Sequence, residues 1–278
     1  MNGTDFLLVA AVDDLTDRLA AVKRQFAAAV DLATPLPLLA ERLTASEQIG
    51  TVFRVDPLAE NARPDAVPIR GDAEALPFRE GSLDLVVSAL ALHWVNDLPG
   101  VLAQVRRALR PDGLFLANLL GGETLHELRE CLTAAEAEVT GGASPRVAPF
   151  AELRDLGALL QRADFALPVI DQDRLTVRYA NALELMRDLR AMGAANALHE
   201  RSRRPLRRAV LFRAAALYAE RFSDPDGRVR ASFDIVSLSG WAPDESQQKP
   251  LRPGSAKARL ADALGTIEKS SGEKTGPG

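Results

Sequence analysis

Apolar residues recur at steps of three and four through Leu8, Val12, Leu15, Leu19, Val22 and Phe26. That is the spacing of one helix face, and it predicts an N-terminal amphipathic helix over residues 1–26, about six turns long. The period then shortens. Ala27 to Leu32 reads as an apolar strand with Asp31 near its end, and Pro37 to Leu43 as a second helix. Thr51 to Val55 is a strand closed by Asp56, with Pro57 preventing its continuation. Val67 to Ile69 is a brief strand and Leu83 to Ala89 a buried one. Strands alternating with helices in this rhythm predict a parallel sheet with helices on both faces.

The rhythm changes after Gly121-Gly122. Long helical periods cover Glu123 to Val139 and Ala151 to Ala163, and a strand pattern runs from Pro168 to Tyr179. Asn181 to Met192 and Pro205 to Phe222 read as two helices, and Val229 to Leu238 as a last strand. The expected fold is α/β: a doubly wound, seven-stranded, Rossmann-like sheet over residues 27–241. A helical insertion at about 181–222 separates the last two strands. Residues 242–278 are polar and rich in Pro, Gly, Ser and Lys, which predicts a mostly disordered tail.

Composition narrows the setting without naming a function. The 278 residues are 47% hydrophobic and 26% charged, enough to bury a core. A formal net charge of -4 gives no push toward nucleic acid. The single cysteine, Cys131, excludes an intrachain disulfide and a cysteine-rich zinc site, and fits a reducing compartment. No apolar run reaches the roughly 20 residues of a membrane span. Asp5, Asp13, Asp14 and Asp17 argue against a transit peptide, so the expected location is cytoplasmic.

Three carboxylates fall near strand ends: Asp31, Asp56 and Asp72. Ligands of doubly wound sheets sit at that edge, where strand order reverses. One carboxylate there can take both hydroxyls of a ribose, and another can accept from an adenine amine. Strand-end caps and turns use Asp as well, so each residue alone carries both readings.

Gly71-Asp72-Ala73-Glu74-Ala75-Leu76-Pro77-Phe78, then Asp84-Leu85-Val86-Val87-Ser88, then Arg110-Pro111-Asp112-Gly113, follow one another in order. Across about residues 27–120 this resembles the class I S-adenosylmethionine (SAM) methyltransferases. The resemblance implies SAM as cofactor. It places Asp31, Ala33, Asp56, Asp72, Ala73, Ser88 and Leu90 against it, with Asp72 at the adenine amine. His93 and Trp94 fall at the substrate edge. Leu90-Ala91-Leu92-His93-Trp94-Val95-Asn96-Asp97-Leu98-Pro99 and Leu120-Gly121-Gly122-Glu123-Thr124-Leu125 narrow the match, as do Asp188-Leu189-Arg190-Ala191-Met192-Gly193 and Ser239-Gly240-Trp241. These are similar to the methyltransferase-like assembly factor 5 family of respiratory complex I. That resemblance implies a protein substrate or assembly partner such as a complex I subunit. It leaves open methylation of a side chain, hydroxylation of a peptidyl arginine, and a catalytically silent assembly factor.

The chain departs from the pattern at one place. Where the methyltransferases have Asp-Leu-Gly-x-Gly-x-Gly, it reads Asp31-Leu32-Ala33-Thr34-Pro35-Leu36-Pro37. Glycine there permits a left-handed backbone close to the cofactor. Two prolines remove two amide donors and hold φ near -65°. The combined cost, about 4 kcal/mol, would move a micromolar site toward millimolar.

Other residues carry competing readings. His93 is a candidate general base with an ordinary pKa near working pH, or a core histidine beside a packed Trp94. Glu123 and His126 lie three apart at an expected helix start. They form an acid-base pair or, with His93, an iron triad, or else Glu123 simply answers the helix dipole. Arg201, Arg203, Arg204, Arg207, Arg208 and Arg213 are expected on one helix, as a docking or a solvated face.

Overall fold

A computed structural model describes residues 5–58, 66–199, 201–248, 265 and 266. The chain divides into a large unit, Met1–Asp244, and a second unit, Glu245–Gly278. Most of the expected disordered tail lies outside the described residues.

The large unit opens with helix α1, Phe6–Ala20, which feeds strand β1, Phe26–Leu32. Helix α2, Leu38–Thr44, leads to β2, Ile49–Asp56, and later β3, Val67–Arg70. Strand β4, Leu83–Ala89, ends in a 3-10 turn at Leu92–Trp94, followed by α3, Leu98–Ala108, and β5, Leu109–Leu120. Helices α4, His126–Thr140, and α5, Leu153–Arg162, precede β6, Ala166–Tyr179. Helices α6, Ala182–Ala191, and α7, Arg208–Phe222, are inserted before β7, Val229–Trp241.

The seven strands form one sheet in the order β3-β2-β1-β4-β5-β7-β6. Strands β1 to β5 pair in parallel, and β7 runs antiparallel to both β5 and β6. Alternating side chains feed two cores, as period two requires. Ala29, Leu85, Val87, Leu114 and Leu116 pack against α1, α2, α4, α6 and α7. Val30, Leu32, Val86, Phe115 and Ala117 pack against α3 and α5. Strand order reverses between β1 and β4, so the segments following these two strands form the lips of a crevice.

The structure corrects three local expectations. Helix α1 stops at Ala20, two turns short of the expected end. Phe26 is a strand residue whose amide donates to the Gln48 carbonyl at 2.7 Å. Its apolar side chain fits the helix period by coincidence, while Lys23-Arg24-Gln25 breaks it. The Pro-Asp-Gly turn sits inside β5 as an irregularity, with Asp112 left-handed at φ 62. The arginine run is mostly loop: Arg201 to Arg207 precede α7, and Pro205 lies in that loop.

Candidate functional site

Asp31 ends the polar-competent part of β1 on the α2 side of the sheet, fully buried. Its register partner on β2 is Arg54, only 3% exposed. Arg54 Nε lies 3.9 Å from Asp31 Oδ2, and its Nη2 donates to the Thr34 carbonyl at 3.0 Å and to Asp56 Oδ2 at 2.8 Å. Arg54 thus stands between two of the three carboxylates expected to face the cofactor. Among the described residues, neither Asp31 oxygen, nor Arg54 Nε or Nη1, has a hydrogen-bond partner. Desolvation raises the Asp31 carboxyl from the ordinary 3.8 to about 7; the Thr34 hydroxyl nearby and the Arg54 charge oppose that rise only in part. Asp56 Oδ1 accepts the Leu58 amide at 2.8 Å, so Asp56 serves both as turn former and as Arg54's partner.

The loop after β1 keeps one feature of the missing glycines. Ala33 is left-handed, at φ 57, and its amide donates to the Val55 carbonyl at 2.9 Å. Thr34 is buried and its hydroxyl accepts the Ala89 amide at 3.1 Å. Ser88 is also buried and donates to the Leu32 carbonyl at 2.8 Å. These bonds tie the ends of β1 and β4 together beneath the crevice. A left-handed alanine costs about 1–2 kcal/mol. Ala33→Gly is therefore expected to raise stability by about 1 kcal/mol in urea denaturation; an unchanged or lower midpoint would contradict the left-handed turn.

On the far side, Asp72 opens a tight turn. Its Oδ1 accepts the Glu74 amide at 2.9 Å, and its carbonyl accepts the Ala75 amide at 3.0 Å. Asp72 is exposed, and Oδ2 has no protein donor among the described residues. Ala73 is buried beneath it. The turn is held from α3 by Gln104, which accepts the Leu76 amide and donates to the Glu74 carbonyl. Glu74 in turn accepts from Asp97 and Asn96, which lowers its pKa.

The third wall follows β4. Leu90 is left-handed, at φ 47. Its amide donates to the carbonyl of Asn118 at 3.0 Å and to that residue's side-chain oxygen at 3.2 Å. The Asn118 side-chain amide donates to the Ala11 carbonyl of α1 at 2.7 Å. Asn118 therefore locks α1 to the wall that carries His93 and Trp94. Burial lowers His93 to about 4, so near neutrality its ring is uncharged and a weak base. That corrects the expected pKa near working pH. Trp94 is 46% exposed, its ring centroid 5.2 Å from that of His93.

A cavity of about 450 Å³ lies at the sheet edge between the loop after β1 and the wall after β4. Pro35 and Leu36 line one side, and Leu90, His93, Trp94 and Leu120 another. Asp5, Leu7 and Leu8 at the start of α1 and Ala191 to Ala194 at the end of α6 and just beyond it close it. Asp31, Ala33, Asp56, Asp72, Ala73 and Ser88 do not line this space. The iron triad is not assembled: His126 packs edge-on against Phe222 on α7, away from His93. Among the described residues no three His, Cys, Asp or Glu side chains converge as a metal site.

Two comparisons fix the fold. Residues 31–117 match the Methyltransferase domain family. A methyltransferase-fold protein of Bacillus halodurans C-125 superposes with a TM-score of 0.57 at 16% identity, covering 84% of this chain and 100% of that one. The YcgJ protein of Bacillus subtilis gives the same TM-score at 14% identity, covering 85% and 99%. The sheet is therefore that of the class I methyltransferases. Closer relatives carry the name arginine-hydroxylase NDUFAF5, mitochondrial. The Danio rerio protein is 39% identical over 93% of this chain and 82% of its own length. The Homo sapiens protein is 41% identical over 95% and 77%. The chain belongs to the NDUFAF5 family.

This NDUFAF5-family chain is also similar in sequence to a further enzyme group. A malonyl-[acyl-carrier protein] O-methyltransferase of Xylella fastidiosa is 41% identical over 63% of this chain and 57% of its own length. Arg54, Thr34, Asn118 and Asp5 are site residues that the sequence pattern did not single out. Arg54 had one signal: a cation on the same strand face as Val52 and Asp56, two residues before a carboxylate it can pair with. Among the described residues, no helix is long and apolar enough to cross a membrane.

Proposed function

We propose that this chain is an enzyme that binds SAM at the crevice and modifies a protein side chain entering the 450 Å³ cavity. One observation carries this reading. The segments that bear the family resemblance, Leu90 to Pro99 and Asp188 to Gly193, are about a hundred residues apart in sequence. Both contribute walls to the same cavity. The cavity falls in the size range of ligand sites, about 300–1,000 Å³.

The residues present suit SAM on its adenosine side. Asp72 has an acceptor oxygen to spare at an exposed turn, and Ala73 offers backbone beside it. Ala33 keeps the left-handed turn that the cofactor's tail requires. Pro35 and Pro37 offer no amides there, so the tail is held less firmly than in glycine-bearing relatives. When bound, SAM supplies an electrophilic methyl group on a sulfonium. The chain's contribution is orientation: Leu90, His93 and Trp94 fix the side chain, and the apolar walls exclude water. Neutral His93 serves as a hydrogen-bonding wall.

Hydroxylation of an arginine is the second reading, favoured by the name that relatives matching 93–95% of this chain carry. In either case the partner is a protein, with a complex I subunit as the family's implied substrate and the cytoplasm as the working compartment. Mass spectrometry of a modified peptide separates the two, by a gain of one CH2 or of one oxygen.

Calorimetry with S-adenosylhomocysteine tests the cofactor. Binding is expected, and Asp72→Ala is expected to weaken it about tenfold or more, equal to about 1.4 kcal/mol. Asp72 is exposed and gives up only its bond from the Glu74 amide, so the thermal midpoint should fall by no more than about 4 °C. No heat at millimolar ligand would overturn SAM binding and leave an assembly factor on the same fold.

A further inference from the structure

The arginine run takes no part in the crevice. Residues 200–219 hold six arginines against one acidic residue, Glu200, in a chain whose net charge is -4. Such a concentration of one sign is unfavourable in itself, because the charges repel one another.

The loop that carries the run is anchored on both sides. Asn196 donates to the Pro145 carbonyl at 2.8 Å. Leu206 packs against the core beside buried Val210, and Arg213 on α7 holds Glu138 of α4 at 2.5 Å. Between these anchors Arg203, Arg204, Arg207 and Arg208 are exposed. None of the four has a salt bridge among the described residues. Elsewhere Arg24, Arg174, Arg178 and Arg221 each hold a carboxylate at 2.5–2.7 Å.

Arg204 and Arg207 border a cleft of about 290 Å³ between this loop and the end of α4. Thr140, Ser144 and Ser202 line it too. Its one carboxylate, Glu136, is already occupied. It accepts from Arg146 at 2.5 Å, and from the Ser144 amide and hydroxyl at 2.8 and 2.9 Å. Glu136 therefore leaves the loop's charge uncompensated. Arg146 also borders a cavity of about 100 Å³ that shares Trp94, Leu120 and Met192 with the crevice cavity. The basic surface is thus continuous with the candidate site.

We propose that this loop and cleft dock an acidic segment of a partner protein, with Arg204 and Arg207 holding its carboxylates. A guanidinium pairs with a carboxylate through two parallel bonds, a geometry an ammonium does not offer. A recess admits single side chains. A membrane surface or a nucleic-acid backbone calls for a broad basic face, which a chain of net charge -4 does not present. The assignment holds whichever reaction the crevice performs.

Fluorescence anisotropy on the full chain tests it, with a labelled glycine-serine peptide carrying four glutamates and a version carrying four glutamines. The glutamate peptide is expected to bind about tenfold tighter, and to weaken as salt rises from about 0.05 to about 0.5 M. Arg204→Gln combined with Arg207→Gln should remove that preference. The loop bonds of these two residues are made by backbone, from the Arg204 amide to Ser202 and from the Leu211 amide to the Arg207 carbonyl. The double variant should therefore melt as the native chain does. Arg107→Gln combined with Arg162→Gln makes the same charge change at exposed positions on α3 and α5, across the sheet, and should bind the glutamate peptide nearly as the native chain does. Equal binding of the two peptides, no binding of either, or an equal loss in the α3 and α5 variant would overturn the proposal. So would an oligothymidylate or phosphatidylglycerol vesicles that bind more tightly than the glutamate peptide and lose that binding in the Arg204 and Arg207 variant.

Discussion

Arg54→Met is expected to destabilise the chain by about 3–5 kcal/mol at pH 8, the usual cost of leaving a buried charge without its partner. Arg54 is 3% exposed and is the cation beside fully buried Asp31. Methionine fills much of the same volume, so the loss reports charge and hydrogen bonding rather than a cavity. The bonds to the Thr34 carbonyl and Asp56 go with it. Asp56 is near enough to solvent to be rehydrated; Asp31 is not. The cost should therefore shrink at pH 5, where Asp31 carries a proton. Urea denaturation at both pH values reads this directly. A loss of equal size at pH 5 and pH 8 would mean that Arg54 acts through packing alone.

Asp31→Asn is expected to act in the opposite direction. The Asp31 carboxyl is raised from 3.8 to about 7 by burial, so the folded chain holds a proton that the unfolded chain releases. Stability from this group is fully present below about pH 4 and falls as pH rises, until the folded carboxyl ionises near pH 7. At about 1.4 kcal/mol per pH unit, the window holds at most about 4 kcal/mol. Asparagine has the same shape and no proton to lose. The variant should match the native chain near pH 4 and exceed it at pH 8. Its stability should also lose the downward slope between those values. Combined with Arg54→Met, it should cost less than Arg54→Met alone, because neither buried charge then remains. A native stability that rises between pH 4 and 7 would contradict a protonated Asp31.

A buried ion pair with open valences at the floor of the crevice is costly for the fold. Its position shows how much of the proposed site is legible in the sequence. Asp31, Asp56 and Asp72 were recognisable as strand-end carboxylates, and all three lie at that edge. Their states were not recognisable. Asp31 is buried and raised, Asp56 is bound to Arg54, and Asp72 keeps a free oxygen at an exposed turn. The same carboxylate at the same kind of strand end has three different roles, set by what packs over it. The loop over residues 31–37 shows the reverse. Its missing glycines predict a cost for any left-handed turn, and Ala33 adopts that conformation nonetheless, held by its bond to Val55. Pairing with β2 offsets a local preference that alanine alone would not overcome.

The hydrophobic period by itself determined the kinds of element, their order and the sheet class. Strands buried on both faces read as continuous apolar runs, and amphipathic helices repeat every 3.6 residues, so each signal is contained within one segment. The order of strand and loop motifs likewise placed the chain near the methyltransferases. Only the tertiary structure decided that Phe26 begins a strand, that Arg54 stands between two carboxylates, and that Asp5 shares a cavity with Trp94. Each of these depends on which distant segments meet and on how much water their meeting excludes. Charge state and ligand geometry follow from that exclusion, which no single stretch of sequence contains.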